Sequence, residues 1–357
     1  MRDLTIDEIS EALSCVSPDV ARSDWVQIGM ALKAELADAG FDLFDSWSQG
    51  SDKYKAKDCK SAWRSIKASG GVGLGTLIKA AQDAGWKLKA DERDEADRQR
   101  YAAEMAERRR IAKEQLAKEA TWRARMADVV AVGCVRLCVW LRENQDPDQV
   151  SSYLQKKQVG NHSGFVVAAP VLLVVDDLDE ASWIVTGEHI TEFFRDFNQL
   201  PDDRKERRSV RKLSRGDFVL PLTRCAETVW PVRSVQIIYA SGKKSFPRHA
   251  EKSGCAVYLV GQQDDVLCLA EGYATAASIH EATGRAVIAC IDAGNLVTVV
   301  NAVAASNPGR PLLICADDDE TTDGKNPGAE FGAKAAAGKT AVVVSPDWSV
   351  IEQKEAA

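Results

Sequence analysis

No run of about 18 apolar residues occurs in the 357-residue chain, which excludes an ordinary membrane-spanning helix. The opening MRDLTIDEIS has no apolar stretch behind a basic one, so no secretory signal is expected there. None of the nine cysteines stands in a CxxC pair, and an odd count fits poorly with a disulfide framework. Reduced thiols in a cytoplasm are expected, with Cys134 and Cys138 buried as small hydrophobes. Cys134 and Cys138 lie four apart on a predicted helix, but no second close pair completes a zinc site. No GxxxxGK[ST] loop is present, which excludes a P-loop helicase within this sequence. The Gly338-Lys339-Thr340 triplet follows an Ala-rich helix and does not join a strand to a helix. Basic excess is missing too. The net charge is −7, so the chain is not an avid nonspecific coat for DNA, and any nucleic-acid contact must come from local basic patches.

What is present divides into four segments. Residues 1–88 alternate helical patterns with short loops, with Trp25, Ile28, Leu32 and Leu36 at helical spacing. Residues 89–127 are crowded with Glu, Lys, Arg and Ala, strong helix formers with charges at four-residue spacing, and predict a solvated helical linker. Residues 128–262 read as α+β: a helix over 128–142, then strands over Phe165 to Val175, Asp217 to Leu222, Ser234 to Tyr239 and Cys255 to Val260. Residues 263–346 alternate strands (266–270, 286–291, 311–316, 340–345) with helices (273–283, 296–305, 329–337). That alternation predicts crossover connections and a parallel sheet covered on both faces.

Carboxylates gather at the strand ends of this last segment. Glu271 directly follows the first strand, and Asp317, Asp318 and Asp319 follow the third. In open α/β sheets ligands bind outside the carboxyl ends of the strands. Extended backbone alternates its side chains, so Asp317 and Asp319 share a face and Asp318 turns away. Clustered carboxylates repel one another unless a cation lies between them. Mg²⁺, or Mn²⁺ in its place, takes oxygen ligands of this kind and supports phosphoryl transfer. Elsewhere, Arg204 to Arg215 is the most basic stretch. Its Arg207, Arg208, Arg211 and Lys212 are candidates for a strand backbone, although charge runs are commonly solvated loops.

Glu271-Gly272 after one strand and Asp317-x-Asp319 after another resemble the Toprim domain of primases, topoisomerases and some nucleases. EGYATAASIHEATG, AVIACIDAGNL, LLICADDD and NPG resemble more narrowly the Toprim domains of phage and plasmid primases. The resemblance implies a Rossmann-like parallel sheet, with Glu271 as general acid/base or metal ligand and Asp317 and Asp319 as Mg²⁺ ligands. Asp292 and Asn295 belong to the pattern without an assigned role, and a fold-supporting turn suits both. Trp25, Gly29-Met30, Trp47-Ser48, Lys53-Tyr54, Trp63 and Gly75-Thr76-Leu77 resemble a second family, the primase C-terminal domain of the second type (PriCT-2). Trp25, Trp47 and Trp63 are expected in its core. Lys53 and Tyr54, in a loop, are expected to meet nucleic acid. Gly216 to Leu222, Ser234 to Ile237 and Gly242-Lys243-Lys244 resemble the subdomain before Toprim in phage primases, which implies phosphate contacts for Lys243 and Lys244.

The fold expected is thus an α/β Toprim domain at 263–346, preceded by an α+β subdomain and a small N-terminal helical domain. The resemblance implies a primase of a mobile element, making short RNA on single-stranded DNA from nucleoside triphosphates, with a replicative helicase as partner and no membrane. A Toprim nuclease and a non-catalytic adaptor that recruits a helicase remain alternatives. The lack of a zinc module keeps the adaptor open.

Overall fold

Hydrophobic spacing of three and four residues shapes the first part of the chain into helices. A computed structural model describes residues 4–66, 72–88, 95–225, 231–262, 265–318 and 326–345. The chain falls into two compact units, Met1–Trp122 and Arg123–Ala357.

The first unit holds α1 (Ile6–Ser14), α2 (Arg22–Leu36), α3 (Phe41–Ser48), α4 (Ala56–Ser65), α5 (Leu74–Asp83) and the start of α6 (Glu95–Glu143). Thr5 and Glu8 close a reciprocal capping box on α1. The core gathers Leu32, Phe44, Trp47, Trp63 and Leu77. Phe44 is its hub, with ring centroids 4.6 Å from Trp25, 5.4 Å from Trp63 and 6.1 Å from Trp47. Trp47 and Trp63 are buried as expected, and Trp25 is half-buried at the edge. Gly29 is a steric requirement, since a Cβ there would come 2.7 Å from Ile66 Cδ1 and 3.0 Å from the Phe44 ring. Lys33 is only 3% exposed, and its Nζ donates to the Trp63 carbonyl at 3.0 Å.

The charged segment does not end where residue 128 begins a new helix. α6 is one helix of 49 residues, because no proline and only Gly133 interrupts its strong helix formers. Nor is it wholly solvated. Met105 and Ala112 are buried, and the Arg109 guanidinium holds Glu35 through Nε at 3.0 Å and Nη2 at 2.8 Å. Within the second unit, Met126, Val130, Cys134, Leu137 and Leu141 form its buried stripe. Burial pushes the Cys134 thiol pKa up and that of Cys138 to about 12, which suits inert core thiols.

The second unit continues with α7 (Ser152–Lys157), β1 (Phe165–Val166), β2 (Val171–Asp176), β3 (Ala181–Thr186), α8 (His189–Gln199), α9 (Asp202–Arg207), β4 (Arg208–Leu213), β5 (Phe218–Arg224), β6 (Val232–Ile238), β7 (Lys244–Ser245) and β8 (Cys255–Leu259). Then follow β9 (Leu267–Ala270), α10 (Tyr273–Thr283), β10 (Val287–Ala289), α11 (Ala293–Ser306), β11 (Leu312–Cys315), α12 (Pro327–Ala336) and β12 (Ala341–Val344). The strand expected over 165–175 is two strands, parted where Pro170 removes a ladder donor. The basic stretch is not a loop. It forms α9 and then β4, which pairs antiparallel with β2 in the small sheet β3-β2-β4. Gly133 lets α6 reach β3, for a Cβ there would stand 2.6 Å from Ser182 Oγ.

The large sheet runs β12-β11-β9-β10-β8-β5-β6-β7, with β1 added beside β5. Its β12-β11-β9-β10 part is parallel, as the alternating sequence predicts. β8 joins β10 antiparallel and fuses the preceding subdomain to it in one sheet. Successive residues serve opposite faces. Cys268 and Ala270 pack with Tyr273, Ala276 and Ala277 of α10, whereas Leu269 packs with Leu296, Val299 and Val300 of α11 and Ala335 of α12. Among the described residues, no helix is long and apolar enough to cross a membrane.

Candidate functional site

Three parallel strand ends meet one edge of the sheet, and each delivers an acid. Ala270 of β9 lies opposite Cys315 of β11 on one side and Ala289 of β10 on the other. Glu271 is the next residue after Ala270, Asp317 stands two past Cys315, and Asp292 three past Ala289. Neighbouring strands lie about 4.8 Å apart, so these backbones leave the sheet side by side.

The strand alternation of β11 persists past its last paired residue. Ile314 faces α11 and α12, and Cys315 faces α10. A Cβ on Gly332 of α12 would lie 3.1 Å from Ala316 Cβ, which returns that residue to the α12 side. Asp317 Oδ1 then accepts from Thr275 Oγ1 of α10 at 2.8 Å. Asp318 Oδ1 accepts from Asn326 Nδ2 at 2.6 Å on the α12 side. Asp317 and Asp318 therefore face opposite ways, as period two requires. Asp319 lies outside the described residues, as does the Gly324-Lys325 part of the following turn.

Asn326 performs two tasks at once. Its Oδ1 caps α12 by accepting from Ala329 N at 3.0 Å, and Pro327 sits where a missing N–H is harmless. The Asn-Pro-Gly triplet is therefore a helix start that also anchors Asp318.

Glu271 is half-buried, and its Oε2 is shut off from solvent. Its charge reaches the Cys290 thiol. Burial, then Cys225, then Glu271 and Asp292 push that thiol pKa far up. Tyr153 of α7 feels the other side. Burial and then the charge of Asp317 raise its phenol. Thr275 and Tyr153 carry no signal in the sequence, because Thr275 bonds to Asp317, and Tyr153 feels its charge, only across long sequence gaps.

Asp292 is occupied structurally. Its Oδ1 caps α11 by accepting from Asn295 N at 2.9 Å, and its Oδ2 forms an ion pair with Lys252. Asn295 is 5% exposed and spends its whole amide internally. Its Oδ1 accepts from Gly254 N, and its Nδ2 donates to the carbonyls of Cys255 and Cys290, all at 2.8 Å. Asp292-Ala-Gly-Asn295, the cap and first turn of α11, thus ties the start of β8 to the end of β10. Just before it Ile291 has φ 83°, a strained conformation for a β-branched residue.

Glu271 and Asp317 are oxygen donors of the kind a hard divalent cation takes, usually one or two carboxylates plus substrate phosphates. Glu271 acts on Cys290 on the α11 side and Asp317 bonds to Thr275 on the α10 side, and among the described residues no three His, Cys, Asp or Glu side chains converge.

The basic candidates sit elsewhere. Arg208 is committed to Asp176 through Nε at 2.7 Å and Nη2 at 2.6 Å, and its guanidinium lies over Trp183. Arg211 Nε donates to the Phe246 carbonyl at 3.2 Å. Arg207 and Lys212 are exposed. Lys243 and Lys244 are exposed at the β6–β7 turn. Five strand steps separate β7 from β9, roughly 24 Å along the sheet. Lys53 and Tyr54 lie in the loop between α3 and α4, and Tyr54 Oη donates to Asp45 at 3.0 Å.

Residues 9–81 match the family model Primase C terminal 2 (PriCT-2), and residues 266–356 match a Toprim domain model. Two curated relatives from Escherichia coli, each called DNA primase TraC, are 41% identical over 117 residues, 30% of this chain. The match covers 11% and 8% of their own lengths, so the chain spans about a tenth of these relatives. No solved structure matches the chain. The chain carries a Primase C terminal 2 domain in its helical N-terminal part and a Toprim domain on its parallel strands.

Proposed function

We propose that this chain is a nucleotidyltransferase of the DNA-primase kind, making short RNA on single-stranded DNA from nucleoside triphosphates. The observation that carries the reading is the pair Glu271 and Asp317 at the ends of hydrogen-bonded parallel strands β9 and β11. The two domain matches and the segment shared with DNA primases TraC support it.

In the reaction, a 3′-hydroxyl attacks the α-phosphate of a nucleoside triphosphate. A new P–O bond forms, the bond to pyrophosphate breaks, and the hydroxyl proton leaves. Asp317, with Asp319, would hold Mg²⁺, and Glu271 would ligate it or take the proton. When bound, the cation supplies charge stabilisation at the attacking and leaving oxygens. Thr275 holds Asp317 in position through its hydroxyl. The exposed cations Lys243, Lys244, Arg207 and Lys212 would steer the template strand, and a replicative helicase would open the duplex.

The test is Mg²⁺-dependent nucleotide incorporation on single-stranded DNA by the wild type and by Asp317→Ala. Short RNA from the wild type and a loss on the order of 10²–10³-fold in the variant is expected. Cleavage of the template without nucleotides would make the same carboxylates those of a nuclease. Neither product would leave a non-catalytic adaptor.

A further inference from the structure

The helical unit has a cleft of its own, with a volume of about 360 Å³. That falls in the lower part of the ~300–1,000 Å³ range of small-ligand pockets, room for one nucleotide and not for a duplex. Its walls come from the segment before α2 with the start of α2, from the end of α3, and from the loop leading into α4 with the start of α4.

Two kinds of group line it. Trp25 and Tyr54 form an aromatic wall, and Arg22, Lys53 and Lys55 bring three cations to the rim. Both aromatics are fixed by their polar ends. Trp25 Nε1 donates to Ser48 Oγ at 2.9 Å, and Tyr54 Oη donates to Asp45 Oδ1 at 3.0 Å. Both rings also pack on the core, Trp25 against Phe44 at 4.6 Å between centroids, so only part of each half-buried ring is presented to the cleft. Ser51 donates to Asp19 across the opening and ties the α3–α4 loop to the segment before α2.

The cations are exposed, and none of the three is in an ion pair among the described residues. The Arg22 guanidinium lies 5.7 Å from the Trp25 ring centroid, so charge and aromatic surface are already joined. Two carboxylates, Asp19 and Asp58, also line the cleft, and Asp19 is engaged by Ser51. α2 and α4 both begin here without a side-chain cap, and each carries a carboxylate in its first turn, Asp24 and Asp58, that offsets the field of its free N–H groups. Three cations against two carboxylates leave the lining with a small positive excess, which favours an anionic ligand.

We propose that this cleft binds a nucleotide phosphate, with the base against Trp25 and Tyr54 and the phosphate among Arg22, Lys53 and Lys55. Stacking of a base on an aromatic ring tolerates any sequence, and phosphate contact makes the binding fall with salt. The proposal extends the primase reading, because it gives the helical domain a hold on the strand or on a nucleotide apart from the carboxylate site.

The test uses the full chain without Mg²⁺ and measures anisotropy of a labelled deoxythymidine decamer and of labelled ATP. Lys53→Ala/Lys55→Ala is compared with Lys79→Ala/Lys87→Ala, which removes the same charge from exposed sites of the same unit. The cleft double variant is expected to bind about tenfold more weakly. Its salt slope on the decamer is expected to fall by about 1.4, the value for two phosphate contacts on a single strand. The control is expected to stay within about twofold, the scale of effects of surface substitutions. Loss on the decamer alone assigns the cleft to the strand, and loss on ATP alone to a free nucleotide. Equal loss in both double variants, or none in either, overturns the proposal. Because the readout is binding without metal or synthesis, that failure is separable from a failure of Asp317→Ala to affect RNA synthesis.

Discussion

Asn295→Ala removes one buried side chain and three hydrogen bonds, to Gly254 N and to the carbonyls of Cys255 and Cys290. Each such bond contributes about 1 kcal/mol net, and more where the abandoned partner stays dry. The loss is therefore about 3 kcal/mol. In a unit of this size 1 kcal/mol moves the midpoint by roughly 2–4 °C, so the second unit should melt about 6–12 °C lower. Thermal unfolding followed by circular dichroism reads this directly. Asn295→Asp sharpens the test, since it keeps the acceptor for Gly254 N but sets a carboxylate against two carbonyls. That environment raises the folded pKa of the new acid above its unfolded value. Its destabilisation must then grow as pH rises from about 4 to 8. A loss below about 1 kcal/mol for Asn295→Ala, or a pH trend of opposite sign, would refute the view that this amide ties β8 to β10.

Other outcomes follow from neighbouring contacts. Thr275→Val should raise the Mg²⁺ concentration needed for synthesis about 10–100-fold while leaving decamer affinity unchanged, because it only frees Asp317 to turn; an unchanged metal titration counts against it. Arg208→Ala should cost about 2–3 kcal/mol in urea unfolding, since it leaves the buried Asp176 carboxylate with two backbone N–H donors and only the more distant Arg204 as a charge partner. Although burial opposes it, the backbone amides of Asp179 and Leu178 and the Arg208 guanidinium hold the Asp176 pKa below the usual carboxylate range. The contribution of this pair is present at neutral pH and fades as pH falls through the lowered value, so the penalty of Arg208→Ala should shrink in acid. Asn326→Ala should cost about 1 kcal/mol as a lost helix cap, read by chemical denaturation; no loss would mean that α12 starts elsewhere.

The parallel strands were legible because each reads as a short apolar run closed by a turn signal. α10 spans Tyr273–Thr283 as its sequence predicts, stopped by Gly284 at φ 69°. β4 was hidden by its own composition. Arg208, Arg211 and Lys212 look like a solvated loop until Asp176, about thirty residues earlier, supplies the partner that lets the segment pair with β2. The carboxylates Glu271 and Asp317 stood out by their places after strands. Their supports did not. Thr275 meets Asp317, and Lys252 meets Asp292, each across some forty residues. Local pattern carries no signal for such pairings. The continuity of α6 was missed for another reason, since a change of composition near residue 128 looks like a boundary although nothing there breaks a helix.

The extended run from Leu312 to Asp318 makes the fate of each acid a matter of parity. Odd-numbered Asp317 goes to Thr275, and even-numbered Asp318 goes to Asn326. Inserting or deleting one residue ahead of Asp317 would exchange their destinies without changing a single side chain. Two residues would restore them. Length variation at this strand end is therefore tolerable only in even steps, a counting rule imposed by the pleat and indifferent to the chemistry it serves.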